Sequence, residues 1–214
     1  MMDTMSEQAS YSTDQENFWA GNFGDDYIAR NTLDHVPSRL AMFSRILSRT
    51  SGVGSVIEFG ANIGINLCAL HHLLPQAEIK AVEINPNAAK TLQSYPWISS
   101  VSNSSFIAQS FADEADLSFT SGVLIHINPE FLPKAYENLY NASRRYVMVA
   151  EYYSPAPVSI PYRGHSERLY KRDFAGEMLD MFPDLRLVDY GFVYRRDPVY
   201  PADDLTWFLM EKRR

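Results

Sequence analysis

The stretch Val56-Ile57-Glu58-Phe59-Gly60-Ala61-Asn62-Ile63-Gly64-Ile65-Asn66 decides how the chain is read. Its apolar start reads as a short buried strand, Gly60 to Gly64 as a tight loop, and Ile65 as a helix start. A second apolar run follows, Ile79-Lys80-Ala81-Val82, and it ends in Glu83. A βαβ unit with glycines in its first turn and an acid closing its second strand suits a ligand with a ribose diol. The carboxylate accepts both hydroxyl hydrogens.

Two ligand classes fit that frame, a dinucleotide or S-adenosylmethionine. A pyrophosphate wants a mid-loop glycine so that backbone N–H groups can approach it. Asn62 holds that place, and Glu58 at the mouth of the loop repels phosphate. The same Glu58 attracts an ammonium, directly or through water. S-adenosylmethionine carries an ammonium and a sulfonium and has no phosphate. The pattern Glu58-x-Gly60-x-x-x-Gly64, with Glu83 after the next strand, resembles the class I methyltransferase signature. An ordinary βα turn that needs only its two glycines is the plainer reading.

The chain's 214 residues point to one domain, and 46% hydrophobic content is enough for a full core. A net charge of -7 without a long basic run argues against a nucleic-acid binder, which needs clustered cations. The single cysteine, Cys68, cannot form an internal disulfide and suggests a reducing compartment, the cytoplasm. No apolar stretch approaches the roughly 18 residues of a membrane span, so no membrane partner is expected. The start of the chain is polar and without a signal-peptide core, and 1–13 is expected to be a disordered tail. With one Cys and five scattered His, no metal site is expected. His71 and His72 are adjacent, point to different faces of a helix, and read as surface residues.

Along the chain, 12–15 has capping-box spacing ahead of Phe18 and Trp19. Gly21-Asn22-Phe23-Gly24-Asp25-Asp26-Tyr27-Ile28-Ala29-Arg30-Asn31 reads either as a lid or as a surface helix with packed aromatics. Residues 14–50 are therefore taken as an N-terminal helical lid, and 51–214 as the main domain. Helices are expected over 37–49, 65–74, 86–95 and 171–182, with another opening at Asn128-Pro129. Strands are expected at 104–107, 117–121, 145–150, 186–194 and 206–211, beyond the two of the βαβ unit. The segment 154–162 contains three prolines and reads as a rigid, irregular excursion. Strand and helix alternate until the last two strands. This predicts an α/β fold: a Rossmann-like seven-stranded, mostly parallel sheet with helices on both faces and a C-terminal antiparallel hairpin.

Ligands in such sheets bind outside the carboxyl ends of the strands. Cofactor contacts are expected from Glu58, Gly60, Asn62, Gly64, Glu83, Gln109, Ser110 and Ser121, with Tyr27 and Arg30 from the lid. Methyl transfer from a sulfonium is an in-line displacement that proximity and desolvation can drive. His126 is the best base, because neutral imidazole is available near pH 7, although it also suits a structural turn cap. Glu151 and Tyr152 are candidate catalytic groups and Tyr153 a substrate contact, unless this strand end is merely packed under the final hairpin. Tyr162, Arg163 and His165 are candidate substrate contacts; Arg163 and His165 either pair with a carboxylate or phosphate or anchor their own loop.

Taken together, Phe18-Trp19, Phe23-Gly24-Asp25, Tyr27-Ile28, Arg30-Asn31, the glycine loop, Gly122-Val123-Leu124-Ile125-His126-Ile127, Glu151-Tyr152-Tyr153, Tyr162-Arg163-Gly164-His165 and Lys171-Arg172-Asp173-Phe174-Ala175-Gly176 resemble the pseudaminic acid biosynthesis-associated methylases. The resemblance covers nearly all of the chain after about residue 14. It implies a class I fold, S-adenosylmethionine as cofactor, and a small-molecule acceptor such as an amino or nonulosonic sugar. Asn62 stands where the broader superfamily more commonly has glycine. The acid- and tyrosine-rich edge at 151–153 equally suits an amine or guanidine acceptor. The rivals are a dinucleotide-dependent oxidoreductase and a non-catalytic module that binds the cofactor and regulates a partner. The sequence leaves the oligomeric state open.

Overall fold

The structure, a computed structural model, describes residues 13–28, 30–108, 110–112, 114–162 and 165–213, with backbone alone for 162 and 165–168. The tail expected over 1–13 lies, apart from Thr13, outside the described residues.

Thr13 opens the first helix, α1 (Asp14–Ala20). Its hydroxyl accepts the Glu16 N–H at 3.0 Å, and the Glu16 carboxylate accepts the Thr13 N–H at 2.9 Å. The capping box therefore sits one residue later than the 12–15 expected. A second short helix, α2 (Asn22–Ile28), folds back on α1. The longer α3 (Val36–Leu47) begins with Pro in its first turn, as a ring lacking an N–H permits. Although grouped with the lid by sequence, α3 packs against α4 (Ile65–Leu73) and buries Met42, Phe43 and Ile46 in the core.

The strands are β1 (Ser55–Phe59), β2 (Glu78–Val82), β3 (Ser100–Ser102), β4 (Ala115–Ser121), β5 (Ser143–Glu151), β8 (Leu185–Phe192) and β9 (Thr206–Lys212). They form one sheet in the order β3-β2-β1-β4-β5-β9-β8. Pairings from β3 to β5 are parallel, and β9 pairs antiparallel with both β5 and β8. The α/β class and the closing hairpin read from the alternation of elements are thus found. Period-two alternation divides the core. Ile57, Phe59, Val147 and Val149 face α6 (Leu132–Ala142) and α7 (Phe174–Met181), while Val56, Leu117, Phe119 and Trp207 face α3 and α4.

Three expectations need correction. The third strand lies at Ser100–Ser102, not at 104–107. Phe106 is apolar because it turns inward and stacks on Phe59 at 4.6 Å between ring centroids. The proline-rich segment leads into a separate hairpin, β6 (Val158–Tyr162) with β7 (His165–Lys171). Pro161 falls where the pairing register slips between Ile160 and Tyr162, a place that tolerates a missing N–H. The last helix starts at Phe174 rather than 171, because Asp173 caps it by accepting the Gly176 N–H at 2.9 Å.

Candidate active site

The strand order reverses direction between β1 and β4, which opens a crevice at their carboxyl ends. A cavity of about 220 Å³ sits there, floored by the glycine loop and roofed by α1 and α2. Gly60, Asn62 and Gly64 all have positive φ, at 75°, 49° and 83°. That conformation suits glycine, and asparagine is the next residue to tolerate it. It turns the Asn62 N–H onto the Glu83 carboxylate at 2.7 Å. The other Glu83 oxygen accepts the Asn85 N–H, also at 2.7 Å. Glu83, which lines the cavity, also accepts from the Ile84 N–H, and the acceptor capacity left on its carboxylate is what meets a diol.

Glu58 is 1% exposed and lies beneath the cavity wall. It accepts the Asn66 amide at 2.6 Å, and Asn66 reaches the cavity in its place. Burial pushes the Glu58 carboxyl up to about 8, opposed by the Asn66 bond and by the charge of Arg39. Burial also raises Glu83, against its backbone hydrogen bonds. Four buried polar atoms at this end lack hydrogen-bond partners among the described residues: Arg39 Nη1, Glu58 Oε2, Asn62 Oδ1 and Asn66 Oδ1. One cationic donor and three acceptors match the carboxylate and ammonium of a free amino acid.

On the other side of the cavity stands His126, closing the turn Leu124–His126 after β4. That turn is held from below by Glu151, whose Oε1 accepts the N–H groups of Val123 at 3.0 Å and Leu124 at 3.1 Å. Burial pushes the Glu151 carboxyl up to about 7, with these bonds pulling the other way. Helix α1 lies against the same turn. Trp19 packs on His126 with 4.6 Å between ring centroids, and the Gln15 amide donates to Asn128. Helix α2 is also tied to the residues that follow β2: Asn85 and Asn87 both donate to the Asp25 carboxylate at 2.9 Å.

Of the residues singled out by sequence, Tyr27, Gly60, Asn62, Glu83, Ser121, His126 and Tyr152 come together around the cavity. Gly64 sits behind the loop as the N-cap of α4. Ser110 lies away from the cavity and accepts from Lys134 at 3.2 Å. Arg30 does not line it either; its guanidinium stacks over Phe23 at 5.6 Å and Tyr27 at 5.5 Å. Glu151 does not face the cavity, because its carboxylate is turned to the backbone of the 123–124 turn. Tyr153 is 43% exposed and leans toward Phe208, not the cavity. Gln109 and Arg163, with the side chains of Tyr162 and His165, fall outside the described residues. Sequence reading missed Arg39, Asn66, Gln15, Glu16 and Asn128 as wall residues. The one usable signal for Asn66 was its place as the second residue of α4, the helix that follows the glycine loop.

Among the described residues no group of His, Cys, Asp or Glu could hold a metal ion, and no helix is long and apolar enough to cross a membrane. No family model matches the chain, and no curated protein matches it. Solved structures do. The 1,6-didemethyltoxoflavin-N1-methyltransferase of Burkholderia thailandensis, with its substrate and S-adenosylhomocysteine bound, aligns with TM-score 0.69 at 13% identity, over 97% of this chain and 93% of that one. A SAM-dependent methyltransferase of Leishmania major aligns with TM-score 0.68 at 13% identity, over 94% of this chain and 86% of that one. The magnesium protoporphyrin IX methyltransferase of Synechocystis PCC 6803, with SAM bound, gives TM-score 0.63 at 11% identity, over 95% and 100%. The fold is therefore that of the SAM-dependent methyltransferases.

Proposed function

We propose that this chain is an S-adenosylmethionine-dependent methyltransferase that acts on a nitrogen or oxygen of a small polar metabolite. The observation that carries the reading is the set of orphaned buried atoms on Arg39, Glu58, Asn62 and Asn66 beside the diol acceptor Glu83. An amino-acid end and a ribose end meet in that one cleft. The structural neighbours that bind SAM or S-adenosylhomocysteine support it. Two buried acids at the loop disfavour a pyrophosphate, and hence a dinucleotide.

S-adenosylmethionine supplies an electrophilic methyl on a sulfonium, which leaves as a neutral thioether. The chain's own residues do the rest. Arg39 pairs with the carboxylate of the amino-acid end, and Asn62 and Asn66 accept from its ammonium. Glu83 accepts the ribose hydroxyls. His126, half-buried on the opposite wall, takes the acceptor's proton, and Glu151 keeps the turn that presents it. The lid α1–α2 excludes water and aligns the acceptor. A reducing cytoplasm suits a chain whose only cysteine, Cys68, is free and buried.

An amino or nonulosonic sugar is the leading acceptor, on the strength of the sequence resemblance. An amine or guanidine is the second reading, favoured by the carboxylates of Glu16 and Asp203 on the cavity wall. Turnover of labelled S-adenosylmethionine against amino sugars, nonulosonic acids, amines and guanidines separates the two. Calorimetry tests the cofactor directly: S-adenosylhomocysteine binds and NADH does not. Glu83→Ala weakens S-adenosylhomocysteine by about 1–3 kcal/mol, the usual loss when a charged hydrogen-bond acceptor is removed. Tight NADH binding without S-adenosylhomocysteine binding sinks the proposal.

A further inference from the structure

We infer that Trp19 is a positioning residue for the reaction: its indole, carried on the lid, holds the His126 ring in place and stabilises it once it has taken the acceptor's proton. The inference rests on the reading of His126 as the base.

Trp19 is held more tightly than a residue that only fills space. Its ring makes edge contacts with Phe18 at 5.7 Å, Phe23 at 5.3 Å and Tyr27 at 5.3 Å. Its carbonyl accepts from the Asn85 amide at 3.3 Å. Gly24 of α2 passes so close that a Cβ there would lie 1.9 Å from that carbonyl oxygen. Ring and backbone of Trp19 are thus both fixed, the backbone to Asn85, whose own N–H rests on Glu83. The indole also packs on His126, 4.6 Å between centroids and tilted by 51°. Both residues line the cavity.

In the transfer, the acceptor's proton passes to the imidazole, the acceptor's electron pair takes the methyl, and the C–S bonding pair stays on sulfur. A neutral imidazole becomes a cation packed at a tilt against an indole, the best aromatic partner for a cation. Burial by the indole works the other way, because it removes water from the charged ring. His126 is only half-buried, so solvent still reaches it and the attraction prevails. The titratable and charged groups on the elements about His126 are Asp14 and Glu16 on α1, Asp25, Asp26 and Tyr27 on α2, Tyr152 and Asp203 on the cavity wall, and Glu151 below. Glu130 follows the turn, and Tyr170 and Lys171 stand on β7, whose residues 165–168 are described by backbone alone. All of them are unchanged in Trp19 variants, so a difference between variants isolates the indole.

The test is a histidine titration by NMR on the full chain with ¹³C-labelled histidine, with and without saturating S-adenosylhomocysteine. The signal of His126 is assigned by its loss in His126→Asn. Trp19→Leu lowers the His126 pKa by about half a pH unit, the size of a half-exposed cation–π contact. Trp19→Phe, which keeps a weaker π face, lowers it by less. His71, stacked on Trp97 at 4.7 Å, stays unmoved and serves as the internal control. Trp19 belongs to neither apolar core cluster of the described residues, and a melting curve of each variant checks that it is folded. A His126 titration unchanged in Trp19→Leu overturns the inference, and so does an upward shift, which would make the indole a desolvating lid only. Failure to bind S-adenosylhomocysteine sinks the proposed function instead, and the imidazole shift is read regardless.

Discussion

Burial at the end of β1 gives Glu58 a carboxyl pushed up to about 8. Its folded-state value lies above the unfolded one, so its contribution to stability is complete at low pH and is lost as pH rises through about 8. Glu151, pushed up to about 7, acts in the same direction. The unliganded chain is therefore expected to melt at steadily lower temperature from pH 6 to pH 8.5, as scanning calorimetry would record. Glu58→Gln keeps an oxygen for the Asn66 amide, flattens that slope, and raises Tm at pH 8 by a few degrees, the response expected for about 1–2 kcal/mol. Ligand binding shows the opposite sign. A ligand ammonium favours the ionised carboxylate, so S-adenosylhomocysteine affinity climbs with pH toward about 8 in the wild type. In Glu58→Gln, which removes a charge behind the wall and no ligand contact, the affinity falls only a few-fold and follows pH less steeply. A pH-independent wild-type affinity would contradict the role given to Glu58. At this scale Gly60, Gly64 and Glu83 were legible, because spacing alone brings them to the cleft. Arg39 was not. On an amphipathic helix a cation beside the apolar stripe looks solvated until the helix is docked, and only docking shows its Nη1 buried.

Among the elements, α1 and α2 depend on contacts unlike those of the core. They contribute aromatic edges and polar bonds to Asn85, Asn87 and Asn128 but no member of the two apolar clusters. Their opening is therefore expected to cost far less than global unfolding. Gly24→Ala tests this, since its methyl would collide with the Trp19 carbonyl. The expected outcome is rapid proteolysis near residue 24, S-adenosylhomocysteine affinity lowered at least several-fold, and a melting temperature within about 2 °C of wild type. A fall of many degrees would mean the pair belongs to the core. The glycines and clustered aromatics of this segment made it recognisable as something other than a connector. The third strand was misplaced because Phe106 and Ile107 look like a buried strand, when in fact they form a turn on the cavity wall. The β6–β7 hairpin was missed because three prolines outweigh strand pattern in any local reading, while a two-stranded ribbon can absorb Pro161 at an irregular register.

At the scale of the molecule, the sheet was readable because strands buried on both faces leave near-continuous apolar runs, as in 145–150. The strand order was not derivable from those runs, since parallel pairings are non-local. The C-terminal hairpin is locked by shape: Gly191 on β8 lies under the Trp207 ring of β9, and a Cβ there would meet it at 2.6 Å. Gly191→Val should cost about 1–3 kcal/mol by overpacking, read as a lower urea midpoint with an unchanged m-value. The cavity itself draws on residues from Thr13 to Leu205, so its walls assemble only when nearly the whole chain has folded.

The three tryptophans stand in three unlike places: Trp19 on the lid, Trp97 stacked half-buried on Tyr95 and His71, and Trp207 sealed in the core. Each is a built-in fluorophore for a different event. With Trp97 and Trp207 replaced by Phe, the emission left would belong to the lid alone. Its quenching by the neighbouring imidazolium would let an ordinary fluorimeter follow roof closure in real time.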